Sequence, residues 1–198
     1  MQQILSHLTQ TEHGFKHIIA AGDDMLGDNS LNHFDVAQQL IKHETYQGRM
    51  LGTYLLGDMA ARNPSAFDVL KTTVSRDDNW RVQEMLAKAF DRYAKTMGYE
   101  EALPAIANWL SDSNPNVVRA VIEGLRIWTS RPYFKENPAV AVSLISQHSA
   151  HESEYVRKSV GNALRDIRRK YSDIVKQETR NWDIADPRVL FTHKLVYK

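Results

Sequence analysis

Asp78-Asn79-Trp80-Arg81-Val82-Gln83-Glu84-Met85-Leu86-Ala87-Lys88-Ala89-Phe90, Asn114-Pro115-Asn116-Val117-Val118-Arg119-Ala120-Val121-Ile122-Glu123-Gly124-Leu125-Arg126 and Glu152-Ser153-Glu154-Tyr155-Val156-Arg157-Lys158-Ser159-Val160-Gly161-Asn162-Ala163-Leu164 read as three copies of one helix. With Val82, Val118 and Val156 superposed, Leu86, Ile122 and Val160 follow four residues on, and Ala89, Leu125 and Ala163 seven residues on. That spacing draws one apolar stripe along a helix. The copies lie 36 and 38 residues apart, a period that suits pairs of antiparallel helices stacked on one another. A weaker copy, Thr45 to Ala60, precedes them.

Working outward, each copy opens on a polar or proline-containing turn. Ser75-Arg76-Asp77-Asp78 and Asp112-Ser113-Asn114-Pro115 supply capping side chains and the fixed φ of a first helical turn. Partner helices are expected at about residues 65–74, 99–110, 138–147 and 172–181. Period-two alternation of β-branched residues is nearly absent, so strands are not needed. The expected fold is all-α: a HEAT-like right-handed solenoid of antiparallel helix pairs, one domain over residues 1–198. Its stacked faces bury Leu86, Ala89, Ile122, Leu125, Val160 and Ala163, and the other helix faces line a concave groove.

Composition narrows the function classes. The 198 residues are 42% hydrophobic and 25% charged, enough for a core, and contain no cysteine, which removes disulfide scaffolds and thiolate zinc sites. No N-terminal basic cluster precedes an apolar run, and no segment approaches the roughly 20 apolar residues of a membrane span. A cytoplasmic protein without membrane contact is the expectation. The net charge of +1 conceals an asymmetry: residues 1–110 hold 10 basic against 14 acidic side chains, residues 111–198 hold 15 against 10. The C-terminal half is therefore the one suited to a polyanion.

Several familiar chemistries are missing from the chain: no Gly-x-Ser-x-Gly elbow, no phosphate-binding or dinucleotide glycine loop, no His-Glu-x-x-His zinc helix. His13 and His17 are four apart but lack a third ligand, so no metal site and no cofactor is expected. Asp23-Asp24-Met25-Leu26-Gly27-Asp28 lacks the ligand spacing of a calcium loop and reads as an inter-helix loop.

What remains is a constellation on the repeat helices. Trp80 and Glu84 share one helix face, as do Arg119 and Glu123 one repeat later. By spacing alone the favoured reading of Arg119 and Glu123 is an intrahelical ion pair, and that of Trp80 a partly buried packing residue. Trp128 reads as inter-repeat packing, and Arg168-Arg169-Lys170 either as a complement to a helix C-terminus or as a phosphate contact.

The same segments carry a family resemblance. Residues 79–84, 116–126 and 155–167 resemble the bacterial DNA alkylation repair glycosylases AlkC and AlkD, over roughly Tyr46 to Tyr171, and the last two segments are similar to the AlkC branch. The resemblance implies a HEAT-like solenoid whose basic groove holds duplex DNA, and excision of cationic alkylated bases such as 3-methyladenine. It implies catalytic roles for Trp80, Glu84 and Glu123, and DNA-binding roles for Arg119, Arg126, Arg157, Lys158, Asn162, Arg165 and Asp166. Asn162 stands where AlkD-like members have a second lesion-site tryptophan, and the extra C-terminal β domain of many AlkC proteins is not in this sequence.

Such chemistry needs few groups. A purine alkylated at N3 already carries positive charge and departs neutral, so no general acid is required. Charge then develops on the sugar, where a fixed carboxylate stabilises the oxocarbenium ion and positions water, while an indole offers its π face. The resemblance also implies recognition without full extrusion of the base. Three readings stand at this point: a glycosylase on double-stranded DNA, a DNA-binding relative without excision, and a HEAT-type protein scaffold. A groove that admits a duplex favours a monomer.

Overall fold

Asn114 accepts a hydrogen bond from the Asn116 N–H at 2.9 Å, and Pro115 fills the first helical position, so a helix starts where the Asn-Pro pair predicts one. Asn63-Pro64 and Asp186-Pro187 open helices in the same way. The structure, a computed structural model, describes residues 2–12, 14–126 and 128–198, and of Trp128 only the backbone. The His13/His17 pair and the packing assigned to Trp128 thus fall partly outside the described residues. Among these residues there is no strand, and no helix is long and apolar enough to cross a membrane.

The chain forms two compact units, Met1–Thr96 and Met97–Lys198. The first holds α1 (Gln2–Thr9), α2 (Lys16–Gly27), α3 (His33–Leu40), α4 (Tyr46–Met59), α5 (Pro64–Thr72) and α6 (Trp80–Met97). Here α4 is the central helix, and α1, α2, α3 and α5 all pack on it. Gly57 of α4 lies so close to Ala89 of α6 that an added Cβ would sit 2.6 Å from the Ala89 Cβ. The acidic stretch from Asp23 is not a loop: Asp23 to Gly27 complete α2. Tertiary contacts override the weak helix propensity of Asp and Gly there, because Met25 is buried and Asp23 accepts a hydrogen bond from the Tyr54 hydroxyl of α4.

The second unit holds α7 (Leu103–Leu110), α8 (Pro115–Leu125), α9 (Pro132–Glu136), α10 (Pro138–Ser146), α11 (Glu154–Arg168), α12 (Ser172–Thr179) and α13 (Pro187–Val196). α7 packs on α8, α10 on α11, and α8 on α11, which is the pair-on-pair arrangement that the repeat period requires. Leu86, Ala89, Ile122, Leu125, Val160 and Ala163 are all buried, as the stripe demands. Trp109, Phe90 and Phe134 are the largest fully buried side chains, each stabilising its unit by about 2–3 kcal/mol through the area it removes from water. The tail from Trp182 is ordered against its unit: α13 packs on α11, with Thr192 donating to the Ser149 carbonyl at 2.6 Å.

One local device recurs without having been visible in the apolar pattern. His43-Glu44-Thr45 before α4 and His151-Glu152-Ser153 before α11 are both followed, six residues after the histidine, by an arginine. Arg49 donates from Nη1 to the carbonyls of His43 (3.2 Å) and Glu44 (2.9 Å). Arg157 does the same to His151 (2.6 Å) and Glu152 (2.8 Å). In both, the histidine Nδ1 accepts the N–H of the residue that opens the helix, at 3.1 Å for Thr45 and 3.0 Å for Ser153. Gln83 occupies the corresponding place in α6 and donates to the carbonyls of Asp77 (2.7 Å) and Val74 (3.1 Å). In each case a side-chain donor at this position caps carbonyls of the loop before the helix; the Val74 carbonyl also accepts the Asp77 N–H at 3.0 Å.

Candidate nucleic-acid interface

Asn79 begins the first candidate region by capping α6, its Oδ1 accepting from the Arg81 N–H at 3.0 Å. Trp80 follows at the helix start and is 54% exposed, which sets aside the packing role its spacing allowed. The Arg81 guanidinium lies 4.5 Å from the Trp80 ring centroid and 5.0 Å from that of Tyr46, whose hydroxyl donates to the Glu12 carbonyl at 2.5 Å. With more than half of its surface exposed, the indole has π surface available to a ligand. Glu84 sits one helical turn beyond Trp80 and is half-buried.

The second candidate region is the contact of α8 with α11, within the other unit. Glu123 has a side chain only 12% exposed, and both of its oxygens are engaged. Oε1 accepts from the Ser159 hydroxyl at 2.7 Å and lies 3.8 Å from Arg119; Oε2 accepts from Arg126 at 3.0 Å. Arg126 also donates to Asp166 Oδ2, from Nη2 at 2.7 Å and from Nε at 3.2 Å. Burial opposes the charge on Arg126, but hydrogen bonds to Asp166 and Glu123 outweigh it and raise its pKa above the ordinary arginine value. The ion-pair alternative for Arg119 and Glu123 is therefore present, as one strand of a wider network.

The residues expected to bind DNA separate into distinct environments. Arg119 is buried, with its guanidinium 4.4 Å from the Tyr155 ring centroid. Arg157 is buried as well, turned onto its own loop carbonyls and 5.3 Å from the Phe191 ring. Lys158 is exposed and pairs with Glu154 at 2.8 Å, while Asn162 and Arg165 are half-buried on the same helix. Of the basic run after them, Arg168 stacks over Tyr197 at 4.9 Å and Arg169 lies 3.8 Å from Asp166. Ser159 and Tyr155, which the expectation left out, are the residues through which α11 reaches Glu123 and Arg119. The sequence signal for Ser159 lay in its place within the family-like segment 155–167. Among the described residues no group of three or more His, Asp or Glu side chains is placed to hold a metal ion.

Comparison with known proteins places these features in context. A family model described as DNA alkylation repair enzyme matches residues 21–178. The whole chain is similar to the crystal structure of AlkD2 from Streptococcus mutans, with 42% identity, a TM-score of 0.94 and 97% of that chain covered. It is also similar to the structure of smu.31 from Streptococcus mutans UA159, at 40% identity, a TM-score of 0.91 and again 97% coverage. Over 103 residues, half of this chain, it is 28% identical to the uncharacterized protein YhaZ of Bacillus subtilis (strain 168), of whose length the match spans 29%. The full-length match at 42% identity is with a protein named AlkD2, whereas the sequence reading expected motifs of the AlkC branch on α8 and α11.

Proposed function

Because the chain belongs to the DNA alkylation repair enzyme family, we propose that it hydrolyses the N-glycosidic bond of cationic alkylated bases such as 3-methyladenine in duplex DNA. The observation that carries this reading is the exposed Trp80 with Glu84 one turn behind it, an arrangement that packing does not require. In the reaction the bond between C1′ and the base nitrogen breaks, the base leaves with the electron pair as a neutral purine, and water adds to C1′ and loses a proton. Developing charge at C1′ is met by a carboxylate, either Glu84 together with the π face of Trp80 from its own helix, or Glu123; one such preorganised group is worth about 3–4 kcal/mol of barrier. Lys158 and Arg165 bind phosphates, with the salt dependence that counterion release imposes. The protein works as a cytoplasmic monomer without cofactor.

A second reading, a DNA-binding relative without excision, is favoured by one specific feature: Glu123 and Asp166 spend their charge on Arg119 and Arg126. Release of 3-methyladenine and 7-methylguanine from methylated duplex DNA separates the two. The glycosylase reading expects release by the wild type, a fall of about 100-fold or more in at least one of Glu84→Gln and Glu123→Gln, and little change in duplex affinity. Salt-sensitive duplex binding with no base release would select the second reading.

A further inference from the structure

α8 and α11 meet across a seam that is polar along one edge and apolar elsewhere. Arg119 and Glu123 come from α8 and Arg126 from its C-cap, at i, i+4 and i+7; Tyr155, Ser159 and Asp166 come from α11. Val118, Ile122, Leu125, Val160 and Ala163 complete the contact as a fully buried apolar surface. Ion pairs at this depth lose in desolvation most of what they gain by attraction, so apolar side chains would join the two helices at least as firmly. The polar edge achieves something that they would not, which is to immobilise one carboxylate. Ser159 approaches Oε1 of Glu123 from α11, Arg126 approaches Oε2 from the C-cap of α8, and Asp166 in turn holds Arg126. Rotation of the carboxylate about its last bond would break both contacts. Ser159 is 3% exposed, so water does not compete for its hydroxyl, and being uncharged it fixes the carboxylate without neutralising it.

We propose that Ser159 is a positioning residue for base excision, holding the Glu123 carboxylate in the one orientation from which it acts on the sugar. This rests on the glycosylase reading above. The test measures kcat and KM for release of 7-methylguanine from methylated duplex by the wild type, Ser159→Ala, Ser159→Thr, Glu123→Gln and the Ser159→Ala/Glu123→Gln double variant, with thermal melting alongside. Thr179→Val is the control: it removes an equally buried hydroxyl, bonded to the Val175 carbonyl and Tyr197, from α12 of the same unit. The expected result is a kcat lowered about tenfold in Ser159→Ala at unchanged KM, the loss of one hydrogen bond to a charged group. Ser159→Thr restores the rate, Thr179→Val leaves it unchanged, and Ser159→Ala has no further effect once Glu123 is Gln. A Ser159→Ala rate equal to wild type, or an equal loss with and without Glu123, overturns the inference while leaving the glycosylase reading intact. Absence of release by the wild type overturns both.

Discussion

Arg157 illustrates how a residue's chemistry is decided by its partners rather than by its type. A cation on a repeat helix of a DNA repair family suggests a phosphate contact, yet its Nη1 is committed to the carbonyls of His151 and Glu152, as Arg49 is to those of His43 and Glu44. Replacing Arg157 with Ala is expected to destabilise the protein by about 1.5–3 kcal/mol, the worth of hydrogen bonds to a charged group, with duplex affinity falling little. Urea unfolding and a binding titration decide it, and unchanged stability with lost affinity would return Arg157 to the DNA surface. The role was legible in the sequence, since His-Glu-Thr and His-Glu-Ser stand six residues before the two arginines from histidine to arginine, but a search for apolar period passes over it. Trp80 is the converse: spacing put it on a helix face, and only its exposure separates an open surface from packing.

At the scale of the helix, sequence and structure agree closely because period and capping are both local. The Asn114-Pro115 start, the stripe through Val82, Val118 and Val156, and the partner helices all appear within a few residues of their expected bounds. The acidic end of α2 is where local signals failed, since Met25 and Asp23 are held in the helix by α4, remote in sequence. Gly161 marks a second limit: a Cβ there would lie 2.4 Å from the Leu195 Cβ, so the absence of a side chain lets α13 lie against α11. Gly161→Ala is expected to cost about 1–3 kcal/mol by overpacking, although alanine is the better helix former. Denaturant melts check this, and a stabilised variant would mean that α13 can shift aside without loss.

For the molecule as a whole, proton linkage predicts a weakness to mild acid. Burial lowers the pKa of His148, and neighbouring His151 adds to the effect; burial also lowers His151 and His17. Each of these folded-state values lies below the unfolded value of about 6.5, so the unfolded chain takes up protons first. Stability is then full above about pH 6.5 and declines as the pH falls from there toward the folded values. Melting temperatures between pH 7.5 and 5 should drop, and His148→Gln should flatten the slope; an unchanged slope in that variant would assign the effect elsewhere. By itself the sequence determined the all-helical class, the repeat period, the helix starts and the family, because these rest on short-range spacing and capping. Only the tertiary structure decided which charged residues face one another. The ties of Ser159 to Glu123 and of Arg126 to Asp166 join residues 36 and 40 positions apart, and such pairings depend on how one helix is set against the next.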